Sequence, residues 1–72
     1  MKRDNLKLAR IARGMTAMDL GELIGMREHR VYGIERGRYR ARRDEALIWA
    51  SALRLNPEAA FPELFGAEVG VP

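Results

Sequence analysis

Residues 16–37 read TAMDLGELIGMREHRVYGIERG, and the reading of this stretch decides the fold. Thr16 stands three residues before Asp19, the hydroxyl-x-x-acid spacing of a capping box, in which each side chain satisfies a backbone N–H at a helix start. Leu20, Leu23 and Ile24 follow at helical spacing, and Gly25 stops the run, which predicts a short helix of about eight residues. Residues 27–36 predict another helix. Its inward face consists of Val31 and Ile34, with Met26 as a further candidate, and Gly37 closes it. Arg27, Glu28, His29, Arg30, Tyr32 and Gly33 fall on its other faces. Only about three residues (Gly25, Met26, Arg27) join the two helices, the tight connection of a helix-turn-helix.

Working outward, residues 4–13 predict a helix with a broad apolar stripe, Leu6 and Ala9 beside Arg10 and Arg13, with Leu8, Ile11 and Ala12 near the other side. Gly14 ends it as a C′ glycine. Residues 38–43 lack apolar periodicity and read as a basic loop. Asp44 and Glu45 then open a helix through Leu47, Ile48, Trp49, Ala50 and Leu53, their charges favouring its N-terminal dipole. Asn56-Pro57 caps and starts a last segment in which Phe61, Leu64 and Phe65 pack back, and Pro62 keeps it short. No strand-like alternation or repeat occurs, so the expected class is all-α with five short helices, one domain over residues 1–65 and a tail over 66–72. Trp49 sits among apolar neighbours and reads as core rather than as a stacking platform.

With 72 residues and no cysteine, the chain has room for one small domain without disulfide staples, stabilised by helix packing or by a second subunit. No run approaches the length of a membrane span, and residues 1–5 lead into mixed polar sequence without a signal-like apolar core, so a cytoplasmic location is expected. Asp4 and Arg10 suit a membrane-surface helix poorly. The inventory excludes the common catalytic designs: one histidine, no cysteine, Ser51 as the single serine inside an apolar helix, and no glycine-rich phosphate loop. No enzyme activity, metal or cofactor is expected. Charge is distributed unevenly. Residues 27–43 carry seven arginines against Glu28 and Glu35, and residues 44–72 carry Arg54 against five acids. An arginine-only stripe suits bidentate phosphate and base contacts, although a basic run is also compatible with a plain solvated face.

The stretch 16–37 resembles the helix-turn-helix of the Cro and phage-repressor family in Thr16, Leu20, the small Gly21, the turn Gly25, Val31, Ile34, Glu35 and Gly37. The resemblance extends to Arg10, where the family has an arginine pairing with the glutamate matched by Glu35, and to Pro57–Phe65, which is similar to the ending of the family's fifth helix. It implies a lambda-repressor-like DNA-binding domain, a structural Arg10–Glu35 ion pair, and a recognition helix lying in the major groove. Arg27, Glu28, His29, Arg30 and Tyr32 are then the available base readers, with Arg30 and His29 foremost and Tyr32 divided between a DNA contact and packing. Thr16, Ala17, Arg36, Arg38, Arg40, Arg42 and Arg43 become phosphate contacts.

Four residues depart from the family pattern. Ala17 replaces a glutamine and has only its backbone N–H to offer a phosphate. Arg27 replaces a Ser or Thr cap, leaving helix donors for a DNA phosphate to satisfy. Gly33 stands at a base-reading position without a side chain, and Glu28 puts a carboxylate at another, where it could accept from a cytosine amino group. The implied function is a sequence-specific double-stranded DNA-binding regulator, a repressor bound as a homodimer to a palindromic operator. Its expected dimer contact is the fifth helix and tail (Phe61, Leu64, Phe65, Val69, Val71). The rival readings are an antitoxin that binds a toxin and represses its own operon, and a protein-interaction module on the same fold.

Overall fold

A computed structural model describes residues 4–65, all helix, turn and loop, in five helices: α1 (Asp4–Ala12), α2 (Ala17–Ile24), α3 (Glu28–Glu35), α4 (Arg43–Ala52) and α5 (Pro57–Ala60). The expected all-α class with five short helices holds. Packing runs from α1 to α3, from α3 to α2, from α2 to α4 and from α4 to α5. Val69 and Val71 lie outside the described residues.

Local chemistry sets the ends of α2. The Thr16 hydroxyl accepts from the Asp19 N–H and the Asp19 carboxylate accepts from the Thr16 N–H, both at 3.0 Å, completing the capping box. Gly25 ends the helix at φ 76°, in the left-handed region that glycine enters without a Cβ clash. The turn then folds tightly back: the Met26 N–H donates to the Gly21 carbonyl at 2.8 Å, and a Cβ on Gly21 would collide with the Met26 carbonyl oxygen. The α2–α3 turn therefore needs a residue without a side chain at 21.

The core is a single cluster built from Leu6, Leu20, Val31, Ile34, Trp49, Leu53 and Phe61 with small alanines between them. Trp49 is completely buried and meets Phe61 edge-to-face, with ring centroids 5.9 Å apart. Three sequence expectations change here. Leu8 and Ile11 face solvent, so α1 contributes a narrow stripe centred on Leu6. Leu47 and Ile48 are about half exposed, because α4 buries Ala46, Trp49, Ala50 and Leu53, one face at i, i+3, i+4 and i+7, and the two aliphatics lie outside it. Phe61 is fully buried inside its own chain and has no surface to give to a dimer contact, whereas Leu64 and Phe65 are half-buried.

Arg10 on α1 reaches across the core to the end of α3. Its guanidinium donates from Nε to Glu35 Oε2 at 2.8 Å, from Nη2 to Glu35 Oε1 at 3.2 Å and from Nη1 to the Met15 carbonyl at 2.9 Å. Both side chains are almost wholly buried, 7% and 3% exposed. Removing one partner strands a desolvated charge. Arg10→Met is expected to cost about 3–5 kcal/mol in denaturant unfolding, and Arg10→Met/Glu35→Leu to regain most of that loss; equal losses in both variants would contradict this account of the pair.

Candidate nucleic-acid interface

α3 buries Val31, Ile34 and Glu35 and turns Arg27, Glu28, His29, Tyr32 and Arg36 outward. Arg27 occupies the N-cap position without a side-chain cap bond, so the first N–H groups of the helix lack a side-chain acceptor from the cap. Gly37, at φ 79°, turns the chain into the loop that carries Arg38, Arg40 and Arg42, all exposed, on either side of the buried Ala41. The outer face of α3 and this loop form one continuous surface, which contains no acid between Arg36 and Arg43.

The arginines of this region divide into two groups. Arg30 is tied to the fold although its side chain is partly exposed: Nε donates to Glu45 Oε2 at 3.0 Å, Nη2 to Glu45 Oε1 at 2.8 Å, and Nη2 also to the Arg40 carbonyl at 3.3 Å. This is the fork geometry that guanidinium shares with guanine, spent here on a carboxylate. Arg43 likewise donates to the Leu64 carbonyl at 3.3 Å and lies 4.8 Å from the centre of the Phe65 ring. Arg36 stacks at 5.2 Å over Tyr32, whose ring also has Arg10 at 6.0 Å. The exposed Arg42 guanidinium makes loose pairs with Asp44 at 3.6 Å and with Glu45 at 3.9 Å. Thr16 is exposed, with its hydroxyl oxygen in the cap, but Ala17 is completely buried and presents no group to a phosphate.

Sequence reasoning missed two residues, Tyr39 and Glu45. Tyr39 lies against α3 at Gly33 and shares a hollow of about 180 Å³ with His29, Tyr32, Gly33, Arg36 and Arg38. The available signal was an aromatic interleaved in a basic run, Arg38-Tyr39-Arg40. Glu45 joins Arg30 of α3 to α4 and also accepts from the Arg42 N–H at 2.8 Å. The Arg30 guanidinium, and after it the Arg42 N–H, hold the Glu45 carboxyl below the usual carboxylate range against the opposing effect of burial, and Glu45 in turn raises Arg30. The Thr16 backbone and hydroxyl lower Asp19 in the same sense. Among the described residues, no group of three or more His, Cys, Asp and Glu side chains is placed to hold a metal ion, and no helix is long and apolar enough to cross a membrane.

A family model described as a helix-turn-helix domain matches residues 3–64, and the chain belongs to that family. The match agrees with the resemblance to the Cro and phage-repressor group and covers every element described above. No curated protein and no solved structure gives a significant match.

A carboxyl whose folded pKa is depressed contributes stability that is full above its unfolded value, near 4.5 for Glu45, and is lost as pH falls through the folded value. Urea midpoints measured from pH 7 downward are therefore expected to drop below about pH 4.5, and Glu45→Gln to show a shallower drop from a lower plateau. A slope unchanged in Glu45→Gln would contradict the assignment of acid sensitivity to this clamp.

Proposed function

We propose that this protein is a cytoplasmic, sequence-specific regulator of transcription that lays α3 in the major groove of double-stranded DNA. One observation carries the reading: His29, Tyr32 and Arg36 share a hollow with Arg38 and Tyr39 of the loop, and residues 36–43 include no acid. In this reading His29 and Arg27 reach base edges, and Glu28 accepts from a cytosine amino group. Arg36, Arg38, Arg40 and Arg42 grip phosphates, giving affinity and register without sequence information, and Thr16 adds a contact from the start of α2. Arg30 is assigned away from bases, since a guanine contact would require breaking its two bonds to Glu45. It holds the loop against the helix instead.

A single short reading helix meets few base pairs, so the protein is proposed to act as a homodimer on an inverted repeat, with half-sites about one helical turn apart, and to repress by occupying the operator. A second reading, recognition of a protein partner such as a toxin, has one observation in its favour. Leu23, Ile24, Leu47, Ile48 and Ala52, with Ser51 and Arg54 beside them, line an open and largely apolar groove between α2 and α4.

Selection of bound duplexes from a random pool at about 150 mM salt separates the two readings. The expected result is an inverted repeat preferred about 10³-fold or more over scrambled sequence. Equal, weak and steeply salt-dependent binding to all sequences would move the assignment to the protein partner. On the selected duplex, Arg38→Ala/Arg40→Ala is expected to weaken binding uniformly and to lower the log-log salt slope by about two per subunit, leaving the preferred sequence unchanged. Sedimentation of the complex at one chain per duplex would contradict the dimer.

A further inference from the structure

The outward stripe of α3 runs His29, Tyr32, Gly33, Arg36, and the glycine leaves a gap in it one turn beyond His29. The gap is filled from the loop. A Cβ at position 33 would collide with Cδ2 and Cε2 of the Tyr39 ring, so the ring lies directly on the helix backbone where a side chain of residue 33 would start. The loop is tied down at this point, because the Gly33 carbonyl accepts from the Arg38 N–H at 2.7 Å and from the Tyr39 N–H at 3.2 Å. The guanidinium of Arg30, fixed by Glu45, lies 6.0 Å from the ring centre. Tyr39 is not covered in this position: 42% of the residue remains exposed, and it lines the hollow shared with His29, Tyr32 and Arg36.

We propose that Tyr39 is a specificity-determining residue, a side chain delivered in place of the one Gly33 lacks, whose exposed ring contacts the 5-methyl group of a thymine in the major groove. The inference rests on the DNA-binding reading above. The chemistry follows from the surroundings: the cationic and imidazole groups of this face suit acceptor atoms and phosphates, and the aromatic edge is an apolar surface among them. The thymine methyl is the apolar feature of the major-groove code. The backbone clamp and the Arg30–Glu45 pair hold the ring in place before DNA arrives, so little side-chain freedom is lost on contact.

The test removes the methyl from the DNA, which avoids any risk to the protein's folding. In the preferred duplex each thymine of a half-site is replaced in turn by uracil, and affinity is measured for the wild-type protein, Tyr39→Phe and Tyr39→Ala, with helix content followed by circular dichroism. Wild type and Tyr39→Phe are expected to lose at least about fivefold in affinity at one particular thymine and little at the others. Tyr39→Ala is expected to be insensitive to uracil there and to select a motif degenerate at that base pair alone. Three results would overturn the proposal: no thymine whose methyl matters to the wild type, the same uracil penalty in Tyr39→Ala, or a uniform loss across all sequences in Tyr39→Phe, which would make Tyr39 a phosphate contact through its hydroxyl. If Tyr39→Ala does not fold, Tyr39→Gln, whose methylene stem still covers Gly33 but which has no aromatic edge, takes its place, and an unchanged uracil penalty in it overturns the proposal. A wild type that prefers no sequence defeats the DNA-reading assignment itself, whereas a defined motif without methyl sensitivity defeats only the role of Tyr39.

Discussion

The buried pair between Arg10 and Glu35 is the constraint on which the rest of the structure depends. α3 has eight residues, no side-chain cap at its start and little buried apolar surface beyond Val31 and Ile34. A helix so short is marginal in isolation. Its position comes from outside: Arg10 holds its last residue to α1 and, through the Met15 carbonyl, to the chain entering α2. Such a pair gains little net stability over apolar replacements, but it tolerates only one arrangement of three helices. A second arginine–carboxylate fork, Arg30 to Glu45, ties the middle of α3 to α4 and to the loop carbonyl of Arg40. α3 is thereby fixed from both sides, with Glu28, His29 and Tyr32 left exposed on its outer face and Tyr39 laid over Gly33.

This arrangement divides the cations of a strongly basic chain. Arg10, Arg13, Arg30 and Arg43 are committed to carboxylates or backbone carbonyls within the fold, Arg13 by a 3.1 Å bond to the Leu53 carbonyl at the end of α4. Arg27, Arg36, Arg38 and Arg40 remain on the surface around His29 and Tyr39. The net charge alone describes neither group. The arginines bonded within the fold hold the helix and loop in place, and the others give that surface its potential.

What could be read from the sequence was mostly what is encoded over three or four residues. The Thr16–Asp19 box, the left-handed Gly25 and the Asn56-Pro57 start are local chemistry, and the structure has all three. The boundaries of α1 to α4 differ from expectation by about one residue, as fraying ends do, whereas α5 stops at Ala60, short of the stretch to Phe65 expected of the fifth helix. The errors came from tertiary choices. Leu47 and Ile48 sit in an apolar run whose pattern does not say which stripe faces inward, and packing chose Ala46, Trp49, Ala50 and Leu53. Phe61 could be read both as packing back and as a dimer contact, and the fold takes it wholly into the core against Trp49. In the site, Arg30 stood at a reading position and only the fold reveals Glu45, fifteen residues away, as its partner. Gly33 offers no side chain to the outer face of α3, and the fold lays Tyr39 over it. No local pattern links residues 33 and 39, because the contact exists only once Gly37 has turned the loop back.

The central claim is that the outer face of α3 and the loop following it form the surface that meets DNA. The most direct test is a residue-by-residue amide shift map of the protein titrated with its preferred duplex. The account predicts that the largest shifts lie in residues 27–33 and 36–42, with the α2–α4 groove around Leu23 and Ile48 unaffected. Shifts centred on that groove, or none above those caused by salt alone, would contradict it.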